Sequence, residues 1–215
     1  MNTNRSPLMA EATPSETPAP ALQTNRVEVP PALLNELNRF VTLVRPYGLD
    51  EPIKPEDILH VEPDRVGPKA RMVLATKTHL AEIDRHNLLR FFYATYDRSN
   101  PVAEPEAKQE AMRKWSQATG KWSPEEALAE TYRIMERLGI RFKVSRYDVD
   151  APKLRMKNPQ GDTVEVTPFY MIKLYDTNDS MVIDAEFRIG ELGPGRLTMW
   201  WANLPREAYQ GATKQ

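Results

Sequence analysis

Apolar positions along this chain change period several times, and each change marks an element. After Pro30-Pro31, Leu33, Leu37, Phe40 and Val44 recur at helical spacing, with Leu34 and Val41 beside them. Pro46 stops that helix, and Gly48 suits the positive φ of the turn that follows. The prolines at 52, 55, 63 and 68 make residues 50–68 an ordered loop with a short strand near Ile58–Val61. Strict alternation then takes over: Met72, Leu74, Thr76, Thr78 and Leu80 interleave with Arg71, Val73, Ala75, Lys77 and His79. A turn at Asp84–Asn87 leads to a second strand carrying Leu89, Phe91, Tyr93 and Thr95, with aromatic residues on both of its faces.

The second half has the sharper signals. A Pro- and Asn-containing connector over 97–105 precedes a short helix from Glu106 to Ala118, with Ala107, Ala111, Met112 and Trp115 on one side. The next helix opens at Ser123-Pro124-Glu125-Glu126. The Ser123 hydroxyl can accept from the Glu126 amide while the Glu126 carboxylate reaches back, and proline suits the first helical position. Its expected buried stripe is Leu128, Tyr132, Met135 and Leu138, with Ala127 and Thr131 alongside, and Leu138-Gly139-Ile140 ends it. A four-stranded antiparallel meander follows. Its first strand carries Phe142, Val144 and Tyr147, and the second runs from Val164 to Tyr175 with an interruption at Pro168. The third alternates Met181, Ile183, Ala185, Phe187 and Ile189 against Val182, Asp184, Glu186 and Arg188; the fourth runs from Leu197 to Trp201.

The expected fold class is therefore α+β, with helices packed on one face of antiparallel sheet. The expected organisation is a disordered tail over 1–26, a helix-plus-hairpin module over 27–100, a connecting helix within 101–121, a helix-plus-meander module over 122–205 and a flexible terminus over 206–215. Each half has a proline-initiated helix ending in an aromatic/Leu-Gly-Leu/Ile run, at Tyr47-Gly48-Leu49 and Leu138-Gly139-Ile140, which raises the hypothesis of two related modules. The sequence Ser123-Pro124-Glu125-Glu126-Ala127-Leu128, then Leu138-Gly139-Ile140 and meander strands, resembles the PepSY-type repeat of exported bacterial proteins over about residues 122–201. The resemblance implies a cystatin-like helix-on-sheet module with an inhibitory, chaperone-like or protein-interaction role, often outside the cytoplasm. It supplies no catalytic residues.

Composition narrows the classes of function. In 215 residues, 29 basic and 30 acidic side chains leave a formal net charge of -1, which gives no general pull towards nucleic acid or anionic lipid. Cysteine is absent, which removes disulfides, thiolate metal ligands and cysteine nucleophiles together. No apolar run reaches the length of a membrane span, and Leu8-Met9-Ala10 is too short for a signal-peptide core. An extracytoplasmic location is expected if a signal peptide once preceded the chain, and a cytoplasmic one otherwise.

Chemistry-bearing motifs are sparse. His79 and Glu82 point to opposite strand faces and His86 falls in a turn, so these three read as solvated positions, not metal ligands. Asp176, Asn178, Asp179 and Asp184 lack a calcium-loop pattern and read as an Asn-Asp hairpin turn. Gly120-Lys121 lacks the upstream glycine and the following Ser or Thr of a phosphate loop, since Trp122 occupies that place. Asp148 and Asp150 share a strand face and are the candidates for acid/base work.

Aromatic placement is the stronger lead. With one helix covering Ile172, Leu174, Ile183, Phe187 and Trp201, the residues Phe169, Met171, Tyr175 and Trp200 lie on the other face, rimmed by Asp184, Glu186 and Arg188. These seven are the candidate partner-binding residues, the alternative being that the N-terminal half packs over the aromatic ones. The expected function is a non-catalytic module binding a protein or peptide, without cofactor or metal and with self-association possible. The alternative is a small-ligand pocket or acid/base enzyme of cystatin/NTF2-like shape between the halves, using acids such as Asp148.

Overall fold

The computed structural model describes residues 28–64, 71–94, 122–157, 161–190 and 193–209. The expected tail over 1–26, the helix over 106–118 and most of the turn at 158–161 lie outside them. The fold is α+β: helices α1 (Pro31–Val44) and α2 (Pro124–Arg137) lie on one face of an eight-stranded antiparallel sheet. The strands are β1 (His60–Asp64), β2 (Arg71–Ala75), β3 (His79–Asp84), β4 (Leu89–Ala94), β5 (Arg146–Asp150), β8 (Phe169–Tyr175), β9 (Met181–Gly190) and β10 (Gly193–Ala202), with β6 (Leu154–Lys157) and β7 (Thr163–Val166) forming a separate hairpin. The sheet order is β1-β2-β3-β4-β10-β9-β8-β5. Each half thus places its first strand at an outer edge and its last strand at the centre, where β4 pairs with β10.

Both helices bury one stripe. α1 seats Leu33, Leu37, Phe40, Val41 and Val44, and Phe40 meets Phe92 of β4 at 5.1 Å between rings. It ends at Arg45, which itself takes a left-handed φ of 49°, three residues before Gly48 at 73°. α2 has the capping box read from its sequence: Glu126 N–H donates to Ser123 Oγ at 3.2 Å, and Ser123 N–H to Glu126 Oε2 at 2.6 Å. Its buried stripe is rotated from the expected one. Ala127, Thr131, Ile134 and Met135 face the sheet, whereas Tyr132 is exposed. Thr131 tolerates that position because its hydroxyl donates to the Ala127 carbonyl at 3.0 Å.

One core runs through both halves, joining Phe40, Ile83 and Phe92 to Ile134, Ile172, Phe187 and Trp200. The short segment after β10 closes over it. Arg90 donates to the carbonyl of Leu204 and to the Tyr209 hydroxyl, and Tyr209 forms an isolated bridge with Ile140. Ala208 and Tyr209 are therefore buried where a flexible terminus was expected from 206 onward, while Arg206 and Glu207 are exposed; Tyr209 lies against the Arg90 guanidinium.

Three strand expectations are also corrected. The alternating run 71–80 is two strands, because Thr76 Oγ1 accepts from Thr78 N and His79 N and turns the chain there. The run 164–175 is two strands in different sheets, parted at Thr167-Pro168. The expected four-stranded meander is β5-β8-β9-β10, with the β6–β7 hairpin inserted into it.

Candidate binding face

The two faces of the central strands differ in cover. On the helix side, Ile172, Ala185, Trp200, Phe92 and Ala81 succeed one another from β8 to β3, all but wholly buried. On the other side two parallel rows cross the sheet. The first runs Asp148, Lys173, Asp184, Trp201, Phe91, Glu82; the second runs Asp150, Met171, Glu186, Met199, Tyr93, Leu80. An antiparallel sheet with one covered face ordinarily shows polar residues on the other. Here the centre of the face away from α1 and α2, at the β4–β10 seam, is aromatic and thioether. Phe91 and Tyr93 stack at 6.3 Å, Tyr93 is 37% exposed, and Trp201 and Met199 are half-buried beside them.

Of the expected binding residues, Phe169, Met171, Tyr175, Asp184, Glu186 and Arg188 do share this face and are half-buried. Trp200 does not. It is wholly buried on the helix side, opposite Ala185 and Phe92, and Trp201 takes the open side. The inversion arises at a register shift between Leu197 and Met199, where Thr198 is the extra residue and bonds the Glu186 carboxylate at 2.7 Å. Leu197 and Trp200 consequently face the same way. Trp201, Met199, Phe91 and Tyr93 were missed as face residues. The aromatic pair on both sides of the second strand was visible in the sequence, but its position beside β10 was not.

Charge on this face is unevenly paired. Lys173 Nζ donates to Asp150 at 2.8 Å, which raises the Lys173 pKa. Arg146 lies 3.5 Å above the Tyr175 ring and bonds Asp179 and Asp148 at 2.6 and 2.8 Å. Asp148, the acid/base candidate, is thus an exposed edge-strand group held below its ordinary pKa by hydrogen bonds from Tyr175 and Arg146. Arg188 sits over the Tyr47 ring at 5.4 Å. Asp184 is different. Its Oδ1 is buried and has no hydrogen-bond partner among the described residues, and burial, then Glu186 and Asp150, pushes its pKa up against the opposing pull of Lys173.

The remaining polar candidates have structural roles. His79 is buried, not solvated as expected: its Nε2 faces the Tyr47 carbonyl at 2.9 Å, its Nδ1 faces the Thr78 hydroxyl at 2.8 Å, and its ring stacks on Phe92. Burial lowers its pKa, with the Tyr47 carbonyl opposing. His86 lies in the exposed β3–β4 turn and His60 on the edge strand β1, 3.0 Å from Glu62. Asp176 Oδ1 accepts from Asn178 N and Ser180 N, which makes the 176–180 segment a side-chain-bonded turn, as its sequence indicated. A cavity of about 720 Å³ lies between the loop Gly48–Asp57 and the Thr76–Thr78 turn, within the first half and not between the halves. Among the described residues no cluster of three or more metal-ligating side chains occurs, and no helix is long and apolar enough to cross a membrane. No family model, no curated protein and no solved structure matches this chain.

Proposed function

We propose that the protein is a non-catalytic binding module that recognises another protein or peptide across the face of its sheet away from α1 and α2. One observation carries this reading: Phe91, Tyr93, Met199 and Trp201 form an aromatic and thioether patch at the seam of the two halves, on the side away from both helices. Contiguous apolar surface rimmed by charge is the usual anatomy of a recognition patch, with aromatic and methionine residues at its centre and charged residues around it. Asp184, Glu186 and Lys173 supply that border on the β8–β9 side. The interaction role implied by the PepSY-like residues of the second half points the same way.

The test is a peptide-display selection on the immobilised full-length protein, with Trp201→Ser as the counter-selection. Enriched peptides are expected to bind the parent protein and to lose binding to Trp201→Ser. Failure to enrich any peptide, or equal binding to both proteins, overturns the reading.

A further inference from the structure

We propose that the partner of this face is a basic, apolar segment of another protein, with a lysine or arginine seated at Asp184 and Glu186 and an apolar side chain on Trp201 and Phe91. This inference rests on the binding reading above and adds the chemistry of the partner. Of the cations on the face, Lys173 hydrogen-bonds Asp150 and attracts Asp184 only through space, Arg146 bonds Asp148 and Asp179, and Arg188 has the Tyr47 ring among its contacts. Asp184 Oδ1 is enclosed with no donor among the described residues, and the Glu186 carboxylate takes the Thr198 hydroxyl. Both acids flank the aromatic patch directly, since Asp184 pairs with Trp201 and Glu186 with Met199 across the β9–β10 ladder.

Two half-buried carboxylates on adjacent positions of one face repel each other, and an incoming ammonium or guanidinium at the part of them that solvent reaches offsets that repulsion. The same cation then lies within cross-strand reach of the Trp201 ring, where the ring face attracts positive charge. An acidic segment adds like charge beside Asp184 and Glu186, so the face discriminates against it. A second copy of this chain stacked face to face about a two-fold axis near Asp184 brings like charges together, which disfavours that occupant.

The experiment uses the full chain and two fluorescein-labelled amphipathic peptides, one of leucine and lysine at helical spacing and one with glutamate in place of each lysine. Binding is read by fluorescence anisotropy for the parent protein, Trp201→Ala, Asp184→Asn and Tyr132→Ala, the last on the exposed side of α2. The lysine peptide is expected to bind and the glutamate peptide not to. Trp201→Ala and Asp184→Asn are each expected to weaken binding by about tenfold or more, as truncation of a central contact does, and Tyr132→Ala to leave it unchanged. Melting curves for Asp184→Asn, expected at or above the parent midpoint, separate lost contact from lost folding. Equal binding of both peptides, or an unchanged affinity in Asp184→Asn, overturns the basic-partner inference; if Trp201→Ala still abolishes binding, the binding face itself stands. An equal loss in Tyr132→Ala overturns it as non-specific attraction. Absence of peptide binding, with or without concentration-dependent self-association lost in Trp201→Ala, overturns it as well.

Discussion

Trp200 and Trp201 are consecutive residues on opposite faces of one sheet: the first is wholly buried against Ala185 and Phe92, the second is half-buried between Asp184 and Phe91. Their consequences on truncation should therefore diverge. Trp200→Ala removes the largest fully buried side chain among the described residues and is expected to cost about 3–5 kcal/mol. Trp201→Ala is expected to cost less than about 1.5 kcal/mol, since the side chain is only half-buried and lies away from α1 and α2. Urea unfolding of the two variants measures the difference; comparable losses would place Trp201 in the core.

Asp84 and Arg90 form the most enclosed ion pair among the described residues. Arg90 Nε and Nη2 meet Asp84 Oδ2 at 2.7 and 2.6 Å, with both side chains almost fully buried, and Asp84 Oδ1 accepts from the amides of His86 and Leu88. Burial alone raises the Asp84 pKa, but Arg90 and the two amides outweigh it and hold the carboxyl below its ordinary value. Arg90→Met is expected to cost about 3–5 kcal/mol by stranding that carboxylate, and the double variant with Asp84→Asn to recover much of the loss. Chemical denaturation of the single and double variants checks this, and an additive pair would show that the two groups act independently.

How far the fold can be read from sequence follows from where each signal resides. The start of α2 was legible because Ser123, Pro124 and Glu126 act on their own turn. The face of α2 was legible in part: Ala127, Thr131, Met135 and Leu138 are buried as read, whereas Tyr132 is exposed and Ile134, not read as core, is buried. The β2–β3 turn is made by the Thr76 side chain and contains no glycine or proline, so the alternation read straight through it. The bulge at Thr198 has no local marker either, and it inverted the phase of both tryptophans. Six of the seven expected face residues came together because β8 and β9 alternate without interruption through Phe169–Leu174 and Ile183–Arg188. The patch itself depends on β4 meeting β10, a pairing between the two halves that no local pattern encodes.

That pairing bears on whether the second half can fold alone. Residues 122–205 read as a self-sufficient unit, yet β10 has β4 as its second neighbour and Trp200 packs in the same core as Phe92 and Phe40. The isolated fragment would expose both a central strand edge and this part of the core. It is expected to show no cooperative thermal transition while the full chain melts cooperatively. A sharp fragment melt, measured by circular dichroism, would establish two independent modules.

His79 supplies a pH dependence of definite sign. Its folded-state pKa is lowered by burial, so between that value and the free value of about 6.5 the unfolded chain binds the extra proton. The stability is complete above pH of about 6.5 and is lost as pH falls below it. The cost lies in burying the charge, since the Thr78 hydroxyl and the Tyr47 carbonyl that flank the ring can each accept from its protonated form. The melting temperature is expected to fall on acidification from pH about 7.5 to about 5.5, and His79→Gln to flatten the slope. An unaltered slope in the variant would assign the effect to other groups.

Asp184 has the opposite linkage. Burial raises its folded-state pKa above the free value of about 3.9, so the cost of keeping it charged is present at neutral pH and is relieved as pH falls through the folded value. Asp184→Asn removes that cost and is expected to raise the melting temperature at pH 7, with the gain shrinking on acidification until the native carboxyl is itself protonated. The half-burial of the side chain keeps the gain modest. A residue that destabilises its own fold and yet anchors a partner is a common stability–function trade-off. Thermal melts of the parent and Asp184→Asn across pH, read beside the lysine-peptide affinities, decide the case. Higher stability with weaker binding marks Asp184 as held charged for recognition. Lower stability at neutral pH would show instead that its carboxylate has an internal partner and supports the fold.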